Sequence, residues 1–134
     1  MIALLRDEPA AADVTGVLEG PTAMSAANYT EVIDHLVRIA ALDADEAEIR
    51  MQLLVEAGMR VIAVDMRLAG RAGEIRARRY ARRSCEISLA DCCALATSLA
   101  LDGALATSDP ALAAAARAEG CVVVALPDSR GVRP

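Results

Sequence analysis

Short apolar runs alternate with helix-spaced stretches along this 134-residue chain, and that alternation limits the fold more than any other feature. The junction at Thr22–Arg38 shows the pattern most plainly. Thr22-Ala23-Met24-Ser25 reads as the end of a strand. It opens at once into a helix, from about 27 to 41, whose apolar positions Val32, Ile33, Leu36, Val37 and Ala40 follow helical spacing. Arg60–Val64 (RVIAV), the weaker Ala104–Thr107 and Cys121–Leu126 (CVVVAL) read as three further strands. Helical stretches fill the intervals. Asp7-Glu8-Pro9 begins one that Gly20-Pro21 stops. Asp43 caps a second, which Gly58 ends, and Asp65 opens an Arg-rich one reaching Arg83. Ser88 caps a helix to Leu101, Asp109-Pro110 starts a last one that Gly120 ends, and the tail from Pro127 reads as loop. The expectation is one α/β domain over residues 1–134, with a mainly parallel sheet and helices on both faces.

Composition narrows the chemistry. The chain is 55% hydrophobic yet has no Phe or Trp and only Tyr29 and Tyr80, so its core must be built from close-packed Ala, Val, Ile and Leu. All its basic residues are Arg, which excludes mechanisms needing a lysine, such as a P-loop or a Schiff base. The absence of lysine also argues against a phosphoacceptor receiver domain. A net charge of −5 rules out a whole-molecule basic footprint for nucleic acid. Charge is uneven, however: Arg67, Arg71, Arg76, Arg78, Arg79, Arg82 and Arg83 crowd one segment. That segment is a phosphate contact, a solvated helix face or a docking surface for an acidic partner. Cys85, Cys92, Cys93 and Cys121 lack zinc spacing and read as buried free thiols of a reducing compartment, hence a cytoplasmic protein. The most apolar window, Cys92–Ala106, is interrupted by Thr97, Ser98, Asp102 and Gly103 and is too short to span a bilayer, so no membrane is expected.

Three carboxylates stand at helix starts. Glu31 is one turn into the helix that follows the first strand, Asp91 lies in S-L-A-D, and Asp109 lies in T-S-D-P after the third strand. Each has a capping explanation: Asn28 with Glu31 and Ser88 with Asp91 have capping-box spacing, and Asp109 before Pro110 is an ordinary N-cap. Capping does not account for their convergence. Right-handed crossovers bring the carboxyl ends of parallel strands to one rim, where ligands of open α/β sheets bind. Carboxylates gathered there repel one another unless a cation sits among them. Mg²⁺ or Mn²⁺ takes one or two carboxylates with waters and substrate phosphates, the chemistry of a metal-dependent nuclease. His35, four residues after Glu31, shares its helix face and is not assigned to the site.

These segments carry a resemblance. Ser25-Ala26-Ala27-Asn28-Tyr29-Thr30-Glu31-Val32 resembles the second acidic motif of the PIN domains found in VapC toxins of bacterial toxin–antitoxin pairs. Ser88-Leu89-Ala90-Asp91-Cys92-Cys93-Ala94-Leu95-Ala96 resembles their third motif and Ala106-Thr107-Ser108-Asp109 their fourth, while Leu4-Leu5-Arg6-Asp7-Glu8-Pro9 is similar to a segment that follows the first. The resemblance implies a PIN-like three-layer sandwich, a Mg²⁺ or Mn²⁺ site formed by Glu31, Asp91 and Asp109, and endoribonuclease activity. It also implies a homodimer inhibited by a cognate antitoxin. Ser25, Asn28 and Thr107 become contacts to substrate or to the acids, and Arg76, Arg79 and Arg83 become RNA-binding candidates.

One element of the family pattern has no counterpart. The first catalytic aspartate of PIN domains lies on an N-terminal strand, upstream of the segment matched here, and Asp7 lies on the wrong side of it. The N-terminal strand is therefore expected to be missing, with a start placed at an internal methionine or a truncated chain as the reason. The missing strand would sit between those at 22–25 and 104–107 and leave two unpaired edges there. Two functional classes follow: a ribonuclease toxin acting through the remaining three acids, or a catalytically inactive truncated PIN domain that dimerises and binds an antitoxin peptide.

Overall fold

The computed structural model describes residues 11–81, 85–128 and 130–134. The element order is α1 (Ala11–Leu18), β1 (Ala23–Ser25), α2 (Ala26–Arg38), α3 (Ala44–Glu56), β2 (Arg60–Ile62), α4 (Met66–Arg79), α5 (Leu89–Ala100), β3 (Leu105–Thr107), α6 (Pro110–Ala118) and β4 (Val123–Ala125). This is the expected α/β alternation. The start of the first predicted helix, Asp7–Ala10, and the end of the Arg-rich one, Arg82 and Arg83, lie outside the described residues.

All strand pairing is parallel, as expected, but it is divided. Ala23–Ser25 pairs with Arg60–Ile62, and Leu105–Thr107 with Val123–Ala125, so the described residues form two two-stranded sheets rather than one. The predicted strands 60–64 and 121–126 shorten to three residues each. Their partners set that limit: α2 begins at Ala26, directly after β1, and Asp109 caps α6 two residues after β3.

Two helix boundaries differ from expectation at a consequential place. Ser25, in extended conformation (φ −70°, ψ 150°), caps α2, and its Oγ accepts from the Asn28 N–H at 3.2 Å. The last strand residue is thus itself the N-cap, and Asn28, read as the cap from sequence, is the third helical residue. At the other end α2 stops at Arg38, and Ala41 turns the chain with φ 56°. Gly58 (φ 109°) and Gly120 (φ 78°) end α3 and α6 in the left-handed backbone expected of them.

The core is aliphatic and close-packed. Leu68, Ile75, Ile87, Leu95, Leu105 and Leu112 form its larger part, filled in with Ala72, Ala96, Ala115, Ala116 and Cys92. Val32, Leu36, Ala47, Met51 and Met59 form a second cluster between α2, α3 and the start of β2. Alanine at the contacts lets α4 and α5 approach closely, and methionine fills the space an aromatic ring would otherwise take. Helix α5 packs against β1 and β3 alike and so underlies both strand pairs. Among the described residues, no helix is long and apolar enough to cross a membrane.

Candidate functional site

The two strand pairs are separated by a cleft of about 790 Å³ that β1 and β3 both line along their whole length. Ser25, Asn28 and Glu31 enter it from β1 and α2, and Thr107 and Ser108 from the end of β3. Four residues singled out from the sequence, Ser25, Asn28, Glu31 and Thr107, are therefore brought together. The right-handed βα geometry at the end of each strand carries them to one rim.

Ser25 and Asn28 hold one another, with the Ser25 hydroxyl donating to Asn28 Oδ1 while it accepts from the Asn28 backbone. With Ser25 as the cap, Glu31 falls in the second turn of α2, beyond capping reach. Its carboxylate takes no part in a capping box, contrary to the sequence expectation. Partial burial and then the Asp91 charge raise the Glu31 pKa, opposed by a hydrogen bond from the Asn28 side chain. Asp91 is thus close enough to act electrostatically on Glu31, although it does not line the cleft.

Asp91 also serves its helix. Its backbone N–H donates to Ser88 Oγ at 2.9 Å and its Oδ2 accepts from the Ser88 N–H at 2.7 Å, completing the predicted capping box. Asp109 caps α6, accepting from the Leu112 N–H at 2.9 Å, and Thr107 Oγ1 accepts from the Asp109 N–H at 3.0 Å. Asp109 lies outside the cleft lining. Among the described residues, no group of three or more His, Cys, Asp or Glu side chains is placed to hold one metal ion. The Asp91 charge acts on Glu31, and a cation that keeps most of its waters needs only one or two carboxylates.

The arginines have internal partners. Arg76 donates to the Ile87 carbonyl and lies over the Tyr80 ring, 4.2 Å from its centroid. Arg79 donates to Glu119 Oε1 at 2.7 Å and to the Ala118 carbonyl at 2.8 Å, and Arg78 reaches Glu119 Oε2 at 2.9 Å. Helix α4 is thereby tied to the end of α6. Arg83 lies outside the described residues.

Burial pushes the thiols of Cys92, Cys93 and Cys121 up, with Glu31 adding to the effect at Cys93. All four cysteines are free, as expected. His35 is half-buried, and its Nε2 is enclosed without a hydrogen-bond partner.

Thr97 was legible in the sequence only as an interruption of an apolar window. It is 4% exposed, its Oγ1 has no hydrogen-bond partner, and it lines the cleft from α5. Ser25, Thr97 and Thr107 are the buried polar residues among those described, and all three line this one cleft.

A family model described as PIN domain matches residues 1–123. No curated protein and no solved structure matches the chain significantly.

Proposed function

The chain belongs to the PIN domain family, and we propose that it is a metal-dependent endoribonuclease, the toxin of a type II toxin–antitoxin pair. The observation that carries this reading is the place of Glu31: free of capping duty and on the rim of the cleft, with the Asp91 charge acting on it. A divalent cation beside the pair relieves that repulsion, and Mg²⁺ or Mn²⁺ accepts one or two carboxylates. Such a cation, when bound, stabilises the negative charge that develops on a phosphodiester during hydrolysis.

The chain's own residues prepare the place. Ser25 locks Asn28, Asn28 hydrogen-bonds the Glu31 carboxylate, and the capping box fixes Asp91 opposite. Thr107 holds the Asp109 backbone, and Asp109, with one oxygen on its own helix, is the third acid of the proposal. Arg76 and Arg79 supply positive potential to RNA from α4, and Arg83, outside the described residues, is the third candidate of the proposal. A cognate antitoxin and a second copy of the chain complete the proposed assembly.

The second reading is the catalytically inactive PIN domain. In this reading the remaining acids do not suffice for turnover, and the molecule is a dimerising, antitoxin-binding module. RNA cleavage with Mg²⁺ or Mn²⁺, beside an EDTA control and the Glu31→Gln variant, separates the two. Cleavage lost in both controls supports the nuclease. A folded protein that binds antitoxin and leaves RNA intact establishes the binding module.

A further inference from the structure

Asp91 lies in the first turn of α5, so whatever holds the start of that helix also holds its carboxylate. The capping box does so only locally, because Ser88 and Asp91 bind each other. Arg76 ties the box to α4. Its half-buried guanidinium donates to the carbonyl of Ile87, the residue before the cap, and Ile87 is itself packed in the larger core. The Arg76 charge also acts on the buried Cys92 thiol, on the residue after Asp91. Arg76 therefore reaches both flanks of the box. The Tyr80 ring backs the guanidinium at 4.2 Å. A planar guanidinium serves a carbonyl and a ring face together, which a lysine ammonium does less well.

We propose that Arg76 is a positioning residue: by holding the Ile87 carbonyl it fixes the Ser88–Asp91 box, and so sets the Asp91 carboxylate for the divalent cation. This role rests on the nuclease reading of the site and goes beyond any positive potential that Arg76 lends to RNA. Charge and position have opposite consequences here. A guanidinium near carboxylates repels a divalent cation, so removing its charge alone should tighten metal binding. Removing a group that orients a ligating side chain weakens it, by about 10–100-fold in metal sites generally. Metal affinity measured without RNA therefore reports which of the two Arg76 does. An RNA contact would instead change KM and the salt dependence of cleavage and leave metal affinity alone.

The test titrates Mn²⁺ into the full chain without RNA, follows the free ion by electron paramagnetic resonance, and follows the Asp91 amide by hydrogen exchange. It compares the wild type with Arg76→Met, which keeps an apolar stem but no donor or charge, and with Arg76→Lys, which keeps the charge without the fork. Arg76→Met should weaken Mn²⁺ binding by about tenfold or more. The Asp91 amide, which donates to Ser88 Oγ, should exchange faster. Arg76→Lys should fall between Arg76→Met and the wild type in both readouts. Arg67→Met removes the same charge from the other end of α4 and should leave Mn²⁺ affinity unchanged or slightly tighter. Unchanged or tighter Mn²⁺ binding in Arg76→Met overturns the role, and so does unaltered exchange at Asp91. If Arg76→Met does not fold, Arg76→Lys decides: weaker Mn²⁺ binding at unchanged net charge supports the role, and wild-type affinity overturns it. A wild-type chain that binds no Mn²⁺ removes the nuclease reading and this role together, whereas Mn²⁺ binding indifferent to Arg76 removes this role alone.

Discussion

Arg79 Nε donates to Glu119 Oε1 across 2.7 Å and joins the Arg-rich helix to the end of α6. Glu119 is 6% exposed along its side chain and also takes Arg78, while Arg71 stands 3.9 Å away. A run of arginines that in sequence suits a nucleic-acid surface thus spends part of its charge on one carboxylate, and two stability predictions begin from it.

The Arg78 hydrogen bond, with that of Arg79, holds the Glu119 carboxyl below the usual glutamate range. A carboxylate whose folded pKa is lowered contributes stability that is fully present above its unfolded value and is lost as pH falls through the folded one. Urea midpoints should therefore fall for the wild type between about pH 6 and pH 3 and fall less for Glu119→Gln. At neutral pH the Gln variant should be less stable by about 2 kcal/mol. Equal acid sensitivity in the two proteins would refute the assignment.

Asparagine separates capping from catalysis at Asp91 and Asp109. Its side-chain oxygen keeps the bonds to Ser88 N–H and Leu112 N–H while the charge is removed. Asp91→Asn should leave the melting temperature within a few degrees of wild type and reduce RNA cleavage by at least about 100-fold, the scale of losing one charged stabilising group. Asp109→Asn should cost less, because its carboxylate is turned to its own helix and lies outside the cleft lining. Unaltered cleavage in Asp91→Asn would remove Asp91 from the site.

Ala41 adopts φ 56°, where an L side chain crowds the following carbonyl. Glycine removes that clash at some cost in chain entropy, so Ala41→Gly should stabilise the protein by about 0.5–1 kcal/mol. Ala substituted at Gly58 (φ 109°) should do the reverse, although a Cβ there meets nothing within 4 Å. Chemical denaturation of the two variants checks the pair of signs together.

The thiols should divide by burial. Cys92, Cys93 and Cys121 are buried, whereas Cys85 is half-exposed with its Sγ 3.8 Å from the Ala111 carbonyl. A disulfide-exchange reagent should modify Cys85 first, with the other three following at the rate of opening and all four reacting at once in denaturant. Mass spectrometry of the first-modified species identifies the residue, and Cys92 appearing first would contradict the packing of α5.

Much of the fold was local and hence legible in sequence. Helix spacing, Ser88 with Asp91, Asp65, Asp109 before Pro110, Gly58 and Gly120 each act within a few residues, and each performs the part its sequence signal implied. The same locality misled at Asn28. Ser25 and Asn28 are both good caps, and the choice fell to Ser25 because pairing of β1 with β2 holds Ser25 extended at the strand's last position. That choice released Glu31 from capping, which no spacing could reveal. The pairing of remote groups was decided by tertiary structure alone: Arg79 with Glu119, Glu31 with Asp91, and Thr97 with a cleft whose walls come from β1 and β3. The physical reason is range. Caps and helix faces are set by neighbours along the chain, whereas desolvation and charge pairing depend on which distant segments the packing of α5 brings to the same place.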